Sequence, residues 1–181
     1  MTRDEAFELV KEKVANKNLR KHMIATEAVM RSLADHFGED AELWGLVGLL
    51  HDLDYDQTVN DFPRHGLMTA EMLAETDVPQ EALYAIKSHP GHFPRKSLLD
   101  KALYAVDPIT GLIVAAALMH PTKKLKNVDT DFVERRFKEK RFAAGADRDQ
   151  IRNCEEFDLP LHEFIALSLE AMQGVDEVLG L

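Results

Sequence analysis

The sequence predicts an all-α, single-domain fold, and three observations lead there. Apolar residues recur at the helical spacing of 3.6 along almost the whole chain, and strand-like alternation is nearly absent. No Gly/Ser linker, internal repeat or low-complexity tract divides the 181 residues. A chain of this length with 45% hydrophobic residues can bury a core of its own without disulfides.

Taken in order, Thr2 and Glu5 form a capping box that opens a first helix with Phe7, Val10 and Val14 on one face. Asn18 is suited to cap a second helix that runs to about Phe37, where Gly38 supplies the stop. Asp40 starts a third, through Trp44, Val47 and Leu50, ending near His51-Asp52; the polar stretch from Asp54 to Pro63 reads as a loop. Short helices follow from about Arg64 to Glu75 and from Pro79 to Ser88, with Pro79 in the first turn. A long helix from about Ser97 to Met119 contains Pro108, which removes one backbone bond and should bend it after Asp107. Beyond His120-Pro121 the chain is more charged. Short helices at about Asp129 to Lys138 and Asp147 to Glu156 lead to a last amphipathic helix, about Pro160 to Leu179. Its Phe164, Leu167, Leu169 and Met172 need a surface to pack on, so residues 121–181 are expected to fold over a core of about 18–120, as parts of one domain. The apolar face of that helix can pack internally or against a second copy, which keeps a homodimer open.

Composition limits the functions available. A single cysteine, Cys154, permits neither an internal disulfide nor a cysteine-based metal site, and points to a reducing compartment, the cytoplasm. The N-terminus lacks an apolar signal region, and the longest apolar run, Leu112 to Met119, is too short to cross a bilayer, so no membrane association is expected. A net charge of −10 disfavours sequence-independent binding to polymeric nucleic acid. A small anionic substrate stays open, since bound divalent cations would reverse the sign locally.

The residues that carry chemistry are histidines and aspartates at helix ends and on inward stripes. His22 shares a helical stripe with Thr26, Val29 and Leu33, so it points inward. Asp107 shares one with Leu99, Leu103, Thr110 and Val114, where a carboxylate is costly unless paired or metal-bound. His51 and Asp52 are adjacent at a helix terminus, where both can turn towards one ion. Imidazole and carboxylate donors suit Mn, Fe, Co, Ni or Zn, with Mg possible for the oxygen donors.

This ordered set resembles the HD-domain superfamily of metal-dependent phosphohydrolases. The stretches that carry the likeness are LRKHMIATEAVM, WGLVGLLHDLDYD, RHGLMTAEML, AIKSHP and LLDKALYAVDPITGLIVAA, spanning roughly residues 19 to 117. More narrowly the chain looks like small stand-alone bacterial HD proteins labelled HDIG, although Leu53-Asp54 stands where that label expects Ile-Gly. The resemblance implies that His22, His51, Asp52 and Asp107 hold a first metal, that His65 and His89 add a second, and that Asp52 bridges them. Two ions about 3.5–4 Å apart would hold a hydroxide as nucleophile and neutralise phosphoryl charge. The implied function is a phosphomonoesterase or phosphodiesterase acting on a small, nucleotide-like phosphate ester. Di-iron oxygenases with the same ligand order are the alternative, and a non-catalytic metal-binding sensor is a third.

Further candidates for gripping substrate are Lys87, His92, Lys123, Lys124 and Arg141. Glu27, Asp54, Asp56 and Arg64 are candidates for holding ligands in place or moving protons, because a metal-bound imidazole usually donates its other N–H to a partner.

Overall fold

The computed structural model describes all 181 residues, and its regular secondary structure is helical, with no strand. Helix α1 (Arg3–Lys13) opens with the expected capping box between Thr2 and Glu5. Helix α2 (Lys17–Phe37) is capped by Asn16 rather than Asn18. Asn16 has an extended backbone, and its side-chain oxygen accepts from the N–H groups of Asn18 and Leu19, which puts Asn18 inside the first turn. Gly38, with φ of 72°, ends α2, and Asp40 caps α3 (Ala41–Leu50).

The most extensive helix packing is α2 against α3, and two glycines of α3 permit a close approach. A Cβ on Gly48 would lie 2.9 Å from backbone atoms of Thr26 and Glu27, and one on Gly45 would run into the Arg31 side chain. Glu27, buried in the same region, pairs with Arg3 and Arg31, so one carboxylate ties α1 to α2.

The stretch from Asp54 to Pro63 is more ordered than a plain loop. It contains helix α4 (Tyr55–Thr58) and runs into a 3₁₀ turn over Phe62–Arg64. The cause is Asp54, which is fully buried and gathers this segment through hydrogen bonds from Thr58, His65, Gly66 and Thr69. Helix α5 (Leu67–Leu73) therefore starts after His65, not at Arg64. Helix α6 (Gln80–Ser88) has Pro79 as its cap residue, one position before the first turn.

Helix α7 (Leu98–Met119) is the central element, with Ser97 and Asp100 forming a capping box at its start. Its length and apolar composition are sufficient to span a bilayer, but more than half of that stretch is buried inside the protein, where α7 packs on α2, α6 and the C-terminal helices.

After a 3₁₀ turn over Leu125–Asn127 come α8 (Thr130–Lys138) and α9 (Arg148–Arg152), the latter continued by a 3₁₀ turn over Asn153–Phe157. The last expected helix is two: α10 (Leu161–Gln173) and α11 (Asp176–Leu179). Gly174 is a poor helix former, and Val175 after it leaves the helical region with φ of −125°. Phe164, Leu169 and Met172 of α10 are buried against α2, α7 and α8. One apolar core thus runs from Ala6 to Leu179.

Candidate metal centre

Six side chains from five parts of the chain converge beside α7. His22 comes from α2, His51 is the C-cap of α3 with Asp52 next to it, and His65 precedes α5. His89 is the C-cap of α6, and Asp107 lies within α7.

Asp52 stands between two groups of imidazoles. Its Oδ2 lies 3.5 Å from Nε2 of His22 and 3.4 Å from Nε2 of His51, while its Oδ1 lies 3.3 Å from Nε2 of His65 and 3.5 Å from Nε2 of His89. Asp107 joins the first group, its Oδ1 being 3.1 Å from His22 Nε2 and 3.8 Å from His51 Nε2.

The outward nitrogens are all engaged. Nδ1 of His51 donates to the Gly48 carbonyl (2.8 Å), Nδ1 of His89 to the Ile86 carbonyl (2.6 Å) and Nδ1 of His65 to the Asp54 carboxylate (2.8 Å). Nδ1 of His22 lies 2.9 Å from Thr110 Oγ1, whose own hydrogen goes to the Asp107 carbonyl, so His22 is again the donor. These partners place the proton of each neutral imidazole on Nδ1 and leave the Nε2 lone pair facing inward. Nε2 of His22 and His51 are then 3.2 Å apart, as are those of His65 and His89, with no hydrogen to share. Lone pairs and two carboxylates facing one another suit a cation, and nitrogen and oxygen donors of this kind fit a divalent metal.

The same facing charges shift the acid–base behaviour of these side chains. Burial opposes charge on His51, but the charge of Asp52 with hydrogen bonds to Asp107 and Asp52 outweighs it and raises the pKa well above the ordinary imidazole range. For His65 burial is likewise outweighed by Asp52 and Asp54, and the value is raised to about 9. His89 is lowered, because burial and the neighbouring charge of His51 prevail. Asp52 and Asp107 are held below the usual carboxylate range: burial opposes this, and the facing imidazoles overcome it.

Access is one-sided. The side chains of His51 and His89 are 0% exposed, whereas His22 is 22% and Asp107 30% exposed. Asp107 and His22 open into a cleft of about 400 Å³ bounded by Pro108, Gly111, Ala143 and Gln150. On the other side Tyr55 and Phe62 cover His65, with ring centroids 5.4 and 5.9 Å away.

Comparison with protein families matches residues 19–118, more than half of the chain, to the HD domain. The chain belongs to the HD domain family. All six converging residues lie inside the matched stretch. The chain is also 26% identical over 137 residues to Ribonuclease Y of Desulfotalea psychrophila, a likeness covering 73% of this chain. It spans only 26% of that relative's length. No solved structure matches.

Within this HD domain, two glycines bring the imidazole pairs together. Gly48 lets α3 approach α2, which sets His51 against His22. Gly66, with φ of 75°, sits so close to α6 that a Cβ would lie 2.7 Å from the Ile86 carbonyl, and this sets His65 against His89. Sequence reasoning gave neither glycine a role. Of the four candidates for holding a metal-binding residue in place, Asp54 alone touches one of the six converging side chains: it accepts from His65 Nδ1 and from the N–H groups of Gly66 and Thr69. Of the other three, Glu27 pairs with arginines, Asp56 accepts from the N–H groups of Ala15 and Asn16, and Arg64 pairs with Glu71 at the surface. The signal for Asp54 was available in its position two residues after Asp52.

The five candidate substrate contacts are scattered. Nε2 of His92 lies 2.9 Å from the Phe62 carbonyl and so pins the turn beside His65. Lys87 lies over the Tyr84 ring. Lys123 and Lys124 border a separate hollow with Asp176 and Glu177. Arg141 is exposed in the segment between α8 and α9, whose Ala143, Gly145 and Ala146 line the cleft at Asp107.

Proposed function

We propose that this HD domain is a metal-dependent phosphohydrolase that holds two divalent transition-metal ions and cleaves a small phosphate ester. The observation that carries the reading is the position of Asp52. Each of its oxygens faces a separate pair of imidazole Nε2 atoms, with Asp107 added to one side. His22, His51, Asp52 and Asp107 would hold one ion, and Asp52, His65 and His89 the other.

Divalent cations at this position would supply Lewis acidity, activating water and neutralising charge on a phosphoryl oxygen. The chain's own groups do the rest. Gly48, Ile86, Asp54 and Thr110 orient the imidazoles through Nδ1. Burial of His51, Asp52 and His89 keeps bulk water from that side, and the opening at Asp107 and His22 admits substrate. The similar Ribonuclease Y is, by its name, a nuclease, and so also acts on a phosphoester bond. The net charge of −10 favours a small ester over a polymer here.

The test is metal analysis of protein purified without chelators, then a phosphate-release screen over nucleotides and simple phosphoesters with Mn, Co, Ni and Mg. Release that is lost on chelation and regained with metal is the expected result. Dioxygen uptake by iron-loaded protein without phosphate release in any condition would overturn the reading in favour of an oxygenase.

A further inference from the structure

Gly111 lies in the middle of α7, one turn beyond Asp107, and is exposed. Glycine at such a position costs helix stability, and the other helical glycines here have a visible reason for it. Gly45 and Gly48 are needed for the approach of α3 to α2. Gly111 has an ordinary negative φ, and a Cβ built on it would meet nothing within 4 Å. The space above it is nevertheless not featureless. The cleft of about 400 Å³ at Asp107 and a second, of about 420 Å³, are both lined by Gly111 and His22, so the two adjoin there. The second cleft leads away from the centre between Ala25, Val114, Leu118 and the C-terminal Leu179 and Leu181, a mostly apolar lining whose only cation, Lys21, is bonded to the Leu179 carbonyl.

We propose that this joined groove seats the organic half of the substrate, an apolar group of about ring size, and that Gly111 is the position that sets its permitted bulk. This deepens the phosphohydrolase reading and rests on it: the phosphoryl group would lie at Asp107 and His22, with the organic group passing over Gly111 into the apolar cleft. Polyphosphates, with a charged group in that place, would be poorer ligands, because burying charge against these side chains is unfavourable.

The test uses the full chain loaded with manganese and two phosphonates that are not hydrolysed, phenylphosphonate and methylphosphonate, with affinities measured by calorimetry. Wild type should bind the phenyl compound about tenfold or more tightly than the methyl compound, as burial of a ring implies. Gly111→Leu should reduce that preference to about twofold or less. Both Gly111→Ala and Gly111→Leu should raise Tm by about 2–4 °C, because the space is open and the helix gains a better former. Equal binding of the two phosphonates by wild type, or an undiminished preference in Gly111→Leu, would overturn the groove while leaving the hydrolase reading intact. A fall in Tm for the Ala variant would refute the open space above Gly111. Binding of neither phosphonate by wild type would overturn both readings.

Discussion

Gln150 donates its side-chain N–H to the carbonyl oxygen of Tyr104 at 2.8 Å, and Tyr104 is the residue whose helical partner Pro108 removes. A carbonyl freed inside α7 is thus satisfied from α9, 46 residues further along the chain. The bond ties the C-terminal part of the protein to the turn that carries Asp107. Gln150→Ala should destabilise the fold by about 1–2 kcal/mol, the cost of leaving a half-buried carbonyl unpaired. Pro108→Ala restores an N–H for Tyr104, so the same Gln150 change should cost less in that background. A double-mutant cycle by urea denaturation measures the difference, and additive effects would contradict the link.

Asp52 faces both imidazole pairs, and on the proposed two-ion reading its loss should remove both ions. Asp52→Ala is expected to abolish metal content and phosphate release together, whereas His65→Ala or His89→Ala should lower metal content by about one equivalent and leave the His22 side occupied. Elemental analysis decides this. Unchanged stoichiometry in the histidine variants would return the centre to a single ion.

Asp54 acts through His65. Replacing it by alanine removes the acceptor for His65 Nδ1 and leaves the N–H groups of Gly66 and Thr69 unpaired. Metal affinity on the His65 side should fall by about 10–100-fold, with the His22 side little changed. Asp54→Asn keeps an acceptor oxygen and should fall between the two, as a two-site metal titration would show.

Gly48 allows no side chain. The Cβ of Gly48→Ala would come within 2.9 Å of the α2 backbone, which cannot give way as a flexible side chain can. A loss of about 1–3 kcal/mol in stability is expected, with weaker metal binding because α3 moves away from His22. Thermal denaturation with and without metal measures both.

Cys154 is fully buried, and that burial pushes its thiol up to about 12. The thiol therefore stays neutral, and unreactive to disulfide reagents, throughout the pH 7–9 range, reacting only when the chain unfolds. Because the folded value is the higher one, the thiol's contribution to stability is full below its unfolded pKa and is lost as pH climbs towards about 12. Rapid labelling of native protein at pH 8 would contradict this.

Much of the molecule was legible in one dimension. The period of 3.6, the capping box at Thr2, the cap at Asp40 and the stop at Gly38 are local signals, and each stands where the side-chain chemistry puts it. The inward stripes of His22 and Asp107 also follow from spacing alone, and the six converging residues were all named from the sequence. Where local signals compete, the sequence alone does not choose between them. Asn16 and Asn18 are equally good caps on paper, and only the extended backbone of Asn16 separates them. The segment after Asp52 reads as a polar loop until the burial of Asp54 is seen to organise it.

What only the tertiary structure decided are relations between distant segments. The facing of Asp52's two oxygens to two imidazole pairs, the need for glycine at 48 and 66, and the pairing of Gln150 with Tyr104 all depend on how close two backbones come. The sequence determined which groups could bind a metal, because ligand chemistry belongs to the residue. Their convergence on one centre, and the side on which it opens, came from packing, because distances between helices are set by contacts that no single segment contains.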